Sequence, residues 1–339
     1  MKKMIRLSVI LCMAAALPLA AEVSITNEIS LLANMSINDD PDTWSTKTAG
    51  ISELNVASTG NSNVKAEVSL QLTIAEQTVP IPVFQVPDAW IKARFPSFRI
   101  TAGKTRLSWG DGFFFNAADL LFGGTDVGNI NPISQEQRTE TAILFAAQIP
   151  TGLFSFGEVV TLPSGDMKLY NSAIGGRYYT TLGSTKTEFG YLYHAPEGHR
   201  ASISLQGNIG PDWYAAFESG IKDQFSDLQD KLDISFGLFH LEQLGRIASL
   251  SLRLEGLVKP FSEWDEGMFF FYPDLSYSPS QELTVSLRSV VVPHEPKADI
   301  TAGIRWNMLQ GFTLLGYVST TVDDHFSGVN LSVGINYIY

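Results

Sequence analysis

The sequence predicts an all-β chain, an antiparallel barrel that crosses a membrane with strands rather than helices. Three observations predict it. Apolar and polar residues alternate along many segments. No stretch after residue 21 stays apolar for the roughly 18 residues that a spanning helix needs. The 339-residue chain also closes on a strand-like run whose last residue is aromatic. Successive side chains on a strand point to opposite faces, so sustained alternation gives each strand one oily and one wet face. A closed sheet turns the oily faces to hydrocarbon and the wet faces to a lumen, and closure satisfies every strand's backbone.

The N-terminus reads as a leader over residues 1–21, which leaves residues 22–339 for the barrel. Lys2, Lys3 and Arg6 precede an apolar stretch from Leu7 to Leu19, and Ala20-Ala21 offers small residues for cleavage before Glu22. The stretch is too short to cross a membrane and its flanks suit a secretory signal peptide. The single cysteine, Cys12, lies inside it. A lipoprotein reading of Cys12 is disfavoured by the bulky Leu11 and the short apolar run before it. The processed chain then has no thiol, which excludes disulfides, Cys–zinc sites and a cysteine nucleophile. A formal net charge of −12 argues against nucleic acid as a partner, since that needs clustered Lys and Arg. A content of 45% hydrophobic and 17% charged residues resembles a soluble protein, as a barrel should when only alternate residues meet lipid.

Alternation runs from end to end. Val23, Ile25, Ile29, Leu31, Ala33, Met35 and Ile37 share one parity, against Ser24, Thr26, Glu28, Ser30, Asn34 and Ser36. Val64 to Ile74, Ala201 to Leu205, Leu250 to Leu254 and Ile300 to Trp306 repeat the pattern. Period two over such lengths, with turns between, specifies strands.

Short connections carry turn chemistry, as at Thr59-Gly60-Asn61, Phe95-Pro96-Ser97, Leu182-Gly183-Ser184, Ile209-Gly210-Pro211, Ser278-Pro279-Ser280 and Gln310-Gly311. Between them fall longer, more acidic segments: Asn38 to Thr48, Ala75 to Val86, Arg106 to Arg138, Val160 to Ser172, Lys222 to Asp230, Lys259 to Gly267, Pro293 to Lys297 and Thr320 to Ser327. The count is about eighteen strands, with sixteen as the alternative. An even number returns both termini to one side, and strand one starts too soon after the leader for a plug domain. A secreted β-sandwich also alternates faces, but a chain this long would need two or three sandwiches and shows no linker between them. Aromatics near strand ends, among them Trp90, Tyr178, Tyr191, Tyr193, Trp213 and Tyr337, suit membrane-interface girdles.

The closing run Val329 to Tyr339 places Val329, Leu331, Val333, Ile335, Tyr337 and Tyr339 on one face. It resembles the last strand of bacterial outer-membrane barrels, where the terminal aromatic serves as an assembly signal. The resemblance implies integral location in a bacterial outer membrane after export through the periplasm. Its partners would be outer-membrane lipid and the barrel-assembly machinery, met through the strand ending at Tyr339.

One connection breaks the pattern. From Arg106 the chain runs more than thirty residues before alternation resumes near Thr141, and it carries Trp109, Phe113, Phe114, Phe115, Leu120, Leu121 and Phe122. Loops of that length are usually functional, and so much apolar surface must pack on something, at about 25 cal/mol per Å². The run Arg106-Leu-Ser-Trp109-Gly-Asp111-Gly-Phe-Phe-Phe-Asn116-Ala-Ala-Asp119 resembles a Trp-Gly-x-Gly-x-x-Phe-Asn-Pro-x-Asp pattern of porin-like and alginate-export-type barrels, with Ala117 where proline is often found. In general porins the third outer loop folds inward and narrows the channel. The resemblance implies the same here, with Arg106, Trp109, Asp111, Asn116 and Asp119 as constriction residues. Whether Arg106, Asp111 and Asp119 face a passing solute or only pin the loop stays open.

Charges on the wet faces supply a lumen. Lys65, Glu67, Lys92, Arg94, Arg99, Arg177, Glu188, Arg253, Glu255, Arg288, Asp299 and Arg305 all oppose their strand's apolar parity. A Lys or Arg on the lipid face costs about 2–4 kcal/mol at the midplane, so these side chains should point inward. Cations exceed anions among them, which favours anionic or polar solutes.

The expected function is passive diffusion of small polar, and on charge anionic, solutes through an outer-membrane porin-like channel. The alternative is a closed structural or adhesin-type barrel. No enzyme, cofactor or metal is expected. His194 and His199 flank Glu197 without a third ligand at diagnostic spacing. Ser235 and His240 are near in sequence but lack an identified carboxylate partner. The acidic groups Asp39, Asp40 and Asp42, Asp223, Asp227 and Asp230, and Asp323 and Asp324 lack calcium-loop spacing. An oligomer is left open.

Overall fold

In a computed structural model of the chain, alternation resolves into one sheet that closes on itself. The structure describes residues 22–37, 44–59, 62–76, 82–124, 138–165, 168–221, 232–262, 268–323 and 326–339. The leader, the acidic groups at Asp39–Asp42 and Asp223–Asp230, and Asp324 lie outside the described residues.

The strands follow in chain order as β1 (Val23–Ile37), β2 (Trp44–Ser58), β3 (Val64–Ala75), β4 (Val83–Gln85), β5 (Ala89–Arg94), β6 (Arg99–Thr105) and β7 (Ala142–Gly152). Next come β8 (Ser155–Leu162), β9 (Ala173–Leu182), β10 (Thr185–His194), β11 (Gly198–Asn208), β12 (Asp212–Ile221) and β13 (Leu232–Leu244). The last are β14 (Ala248–Val258), β15 (Phe269–Ser278), β16 (Leu283–Val292), β17 (Lys297–Leu309), β18 (Phe312–Val322) and β19 (Phe326–Ile338). All pairings are antiparallel and, apart from β3 with β5, join chain neighbours until β19 returns to β1 to close the ring, with Leu31 opposite both Gly50 of β2 and Ile335 of β19. Closure pairs every described strand on both sides except the short β4, which pairs with β3 alone.

β4 and β5 both pair with β3, Phe84 opposite Leu72 and Ile91 opposite Ala66. They are two pieces of one stave, interrupted at Val86-Pro87-Asp88, where Pro87 has no N–H to offer a ladder. The barrel therefore has eighteen staves, and no plug domain occurs among the described residues. The only regular helix among the described residues is the 3-10 turn Leu169–Asn171.

Connections are short at one end and more varied at the other. At the short end β17 turns into β18 through Gly311, whose φ of 80° and close approach to the Ile338 carbonyl exclude a side chain. At the other end several loops are shorter than the sequence suggests. β4 begins at Val83, β8 extends to Leu162, and the β16–β17 connection is only 293–296, because strand pairing reaches further than the apolar alternation that marks it.

The two faces differ sharply. On β7, Ile143, Phe145 and Ile149 are 61%, 47% and 53% exposed, while Leu144 and Ala146 between them are 2% and 3% exposed. In an empty cylinder both faces would be exposed, so something fills this part of the interior. Trp109 and Leu120, from the loop joining β6 to β7, pack there with Leu144, Ala146, Val160 and Leu192. A second cluster joins Phe114 and Phe115 to Tyr272, Val290 and Val292 of β15 and β16.

Candidate functional site

The β6–β7 loop is built into the inner wall by wall side chains that receive its backbone. Gly110 and Gly112 let the chain turn tightly after Trp109, and three aromatics then enter in sequence. Glu255 of β14, 1% exposed, accepts the backbone N–H groups of Phe113 at 3.2 Å, Phe114 at 2.8 Å and Phe115 at 2.9 Å. The hydroxyl of Tyr214 lies 2.8 Å from the same carboxylate and 2.8 Å from the Phe115 carbonyl. Three successive amides on one carboxylate form an anion nest, here with the anion supplied by the wall. Phe114 stacks on Tyr272 at 4.0 Å, and the Arg253 guanidinium sits 3.7 Å from the Phe113 ring.

A second latch is built on β8, β9 and β10, four to six strands from β14. Arg177 of β9 donates to Glu158 of β8 at 2.6 Å and to Glu188 of β10 at 2.9 Å. Glu158 then accepts the Trp109 indole N–H at 3.2 Å, and Glu188 accepts the Gly110 N–H at 2.9 Å. Gly190, beside Glu188, leaves room for the indole: a Cβ there would stand 3.3 Å from the Trp109 ring. Ser235 of β13 accepts the Ala117 N–H at 2.9 Å, and Arg200 of β11 donates to the Leu120 carbonyl at 3.2 Å and to Glu218 at 2.5 Å.

Within the loop, Asp119 is fully buried and pairs with Arg106 at 2.8 Å and Arg138 at 3.4 Å. Arg138 also donates to the Gly112 carbonyl, and the Asn116 amide donates to the Trp109 carbonyl at 2.8 Å. Burial pushes the Asp119 carboxyl above its ordinary range, with Arg106 and Arg138 pulling the other way. Desolvation also raises Asp111, which Lys186 and Arg177 oppose, and lowers Arg138. These directions follow from moving charge out of water beside partial compensation.

Space remains beside the loop. A cavity of about 1160 Å³ lies between the loop residues Arg106, Leu121, Phe122 and Arg138 and the wall residues Glu53, Gln71, Gln85 and Asp88. A smaller one of about 240 Å³ is bounded by Phe113, Phe239, Arg253, Asp274, Arg288 and Arg305.

Ten of the twelve wet-face charges separate into three settings. Lys65, Lys92, Arg94 and Arg99 are exposed near the short-turn end. Arg253, Arg288 and Arg305 gather around the smaller cavity. Arg177, Glu188 and Glu255 are taken up by the loop. Glu67 stands opposite Trp90, and Asp299 receives the Thr321 hydroxyl at 2.5 Å. Of the loop residues, Arg106 and Asp119 form a pair, Trp109 and Asn116 are buried, and Asp111 reaches the surface.

The sequence reading missed Glu158, Arg200, Tyr214, Glu218 and Ser235, and on the cavity side Glu53, Asp88, Lys104 and Arg138. Their parity was available: Glu158 lies opposite in phase to Val159, and Glu218 to Phe217. Nothing in their spacing marks them as receptors for one loop.

The two histidines of the β10–β11 loop have separate partners: His194 meets Glu197 at 3.1 Å and His199 meets the Tyr191 hydroxyl at 2.6 Å. No group of three potential metal ligands occurs among the described residues. Ser235 and His240 point to opposite faces of β13, and His240 instead meets Glu242 at 3.2 Å.

No protein-family model and no curated protein matches the sequence. Solved structures match along nearly the whole length. OccAB4 of Acinetobacter baumannii superposes with a TM-score of 0.61 at 9% identity, over 95% of this chain and 99% of that one. The fold is a porin barrel. A BenF-like porin of Pseudomonas fluorescens gives 0.59 at 10% identity over 94% and 99% of the two chains. OccK11 of Pseudomonas aeruginosa gives 0.56 at 10% identity over 93% and 95%.

Proposed function

We propose that this porin-fold barrel is a channel of a bacterial outer membrane through which small polar solutes, with a bias toward anions, diffuse passively. The observation that carries the reading is the cavity of about 1160 Å³ left open beside a loop whose apolar mass is packed against the opposite wall. The β6–β7 loop acts as the constriction. Arg106 and Arg138 present cationic edges to the passage, and their shared partner Asp119 is hidden behind them. Selection rests on size and on the field of charges in a narrow low-dielectric passage. Arg253, Arg288, Arg305 and the four cations near the short-turn end line the remainder.

On this reading, residues 1–21 direct export. The exposed outer face (Ile143, Phe145, Leu252, Leu254, Val333) contacts lipid, and the strand ending at Tyr339 addresses the assembly machinery. The short turns then face the periplasm. The porin-fold neighbours support a channel rather than an enzyme. Liposome swelling tests the proposal: vesicles carrying the refolded protein should swell in small sugars and faster in isosmotic small anions than in matched cations. Vesicles that hold inserted, heat-modifiable protein yet do not swell would instead support the closed, surface-binding barrel.

A further inference from the structure

Four cations stand together near the short-turn end of the inner wall. Lys65 is the second residue of β3, Lys92 and Arg94 close β5, and Arg99 opens β6. The register sets Lys65 directly opposite Lys92 and Arg94 directly opposite Arg99. Like charges in direct opposition destabilise a sheet, and directly paired Cβ atoms stand about 4.5–5.5 Å apart, with diagonal neighbours at about 7–8 Å. Lys65 is diagonal to Arg94, and Lys92 to Arg99, so the four Cβ positions form one slanted quadrilateral across three strands, with Lys65 and Arg99 at its far corners.

All four are exposed, and their parity opposes that of the outward Ile91, which is 48% exposed. Arginines and glutamates elsewhere in this barrel pair closely, as at Arg177 and Arg200. The side chains of Lys65, Arg94 and Arg99 have no hydrogen-bond or ion-pair partner among the described residues, and that of Lys92 only overlies the Trp90 ring at 4.2 Å. Glu67, two residues along from Lys65, supplies the one acid on this part of the face among the described residues, where no ion pair joins it to the cluster. The hydroxyl-bearing Thr101 stands opposite Lys92, and the amide-bearing Gln148 stands opposite Arg99.

We propose that this quadrilateral is a binding site for a doubly charged oxyanion of the phosphate class, held at the periplasmic mouth of the lumen. A monocarboxylate offers two oxygens and one charge, too little to offset four neighbouring cations. A phosphate dianion offers several acceptor oxygens, matching the forked guanidinium donors of Arg94 and Arg99 and the point charges of Lys65 and Lys92. The inward parity makes the ligand a solute in the channel rather than a lipid headgroup. The orientation and the solute role rest on the channel reading above, but binding itself does not need conduction.

The test is calorimetric titration of the full barrel in neutral detergent with inorganic phosphate, acetate and a short-chain phosphatidic acid, for the native protein and for R94Q/R99Q and K65Q/K92Q. Folding of each variant is checked by heat-modifiable migration. Phosphate should bind at least tenfold more tightly than acetate, and each double variant should weaken phosphate at least tenfold without changing acetate. Equal binding of phosphate and acetate, or variants that bind phosphate as the native protein does, would overturn the site. Binding of phosphatidic acid without inorganic phosphate would assign the patch to lipid and end the solute proposal. A barrel that binds phosphate but never conducts would refute the channel while leaving the site intact.

Discussion

Replacing Glu255 by alanine removes the acceptor of three consecutive loop amides in a place water does not reach. The carboxylate takes the N–H groups of Phe113, Phe114 and Phe115 at 2.8–3.2 Å and is 1% exposed. A hydrogen bond to a charged group is worth about 1.5–3 kcal/mol, and a buried donor left without a partner costs about 1–3 kcal/mol. The three bonds share one carboxylate and are not additive, so about 3–6 kcal/mol of docking free energy is at stake. Even the lower figure shifts the docked-to-undocked ratio by about 150-fold. The strand pairing of β14 with β13 and β15 is backbone-mediated and should survive. In vesicles, Glu255→Ala should therefore expose Trp109 to an aqueous quencher and open the loop to protease, while heat-modifiable migration persists. Glu255→Gln, which keeps one acceptor oxygen, should fall between the two. A Glu255→Ala barrel whose Trp109 stays shielded and whose loop stays uncut would show that the nest does not hold the loop.

Asp119→Asn neutralises the fully buried member of an ion-pair group and leaves Arg106 and Arg138 without their shared counter-charge, at a cost of about 3–5 kcal/mol; loop proteolysis should rise as for Glu255→Ala. Phe114→Ala removes a fully buried ring stacked on Tyr272 and should loosen the loop by about 3–5 kcal/mol, read by near-ultraviolet circular dichroism. Desolvation raises Asp111 above its ordinary 3.8, so the docked loop binds more protons than the undocked one just above that pH. Its contribution to docking is full below 3.8 and is lost as pH rises through the raised value. Quenching of Trp109 should accordingly increase across that window, and less so in Asp111→Asn. Leu252→Arg, on the outer face of β14, should cost about 2–4 kcal/mol of barrel stability if that position lies at the midplane, whereas Ser251→Arg on the inner face should cost far less; urea titration in lipid vesicles separates them.

Most of the barrel was legible in the sequence because its solvent acts locally. Each residue of β1, β3, β14 or β19 meets one of two environments, and period two records which. The count came out at eighteen, although the break at Val86-Pro87-Asp88 splits one stave where alternation is weakest. Loop lengths were less legible, since pairing at the tops of β8 and β17 continues on backbone bonds after the apolar signal ends. The long loop announced that it must pack somewhere through seven large apolar side chains. Its receptor did not announce itself: Glu158, Glu188, Tyr214, Ser235 and Glu255 come from five strands, and each alone looks like any polar wet-face residue. For the same reason Glu188 and Glu255, expected among the pore-lining charges, could not be told apart from Lys92 or Arg99. Only the fold shows which inward charges the loop occupies.

Single-channel recording from the purified, refolded barrel in a planar lipid bilayer goes to the heart of the account, which is that an aqueous path persists beside the docked loop. Discrete ohmic steps should appear, with a reversal potential in a potassium chloride gradient displaced toward chloride. Glu255→Ala should add current noise as the loop leaves the wall. Inserted protein that gives no steps, or steps selective for potassium and unchanged in Glu255→Ala, would contradict it.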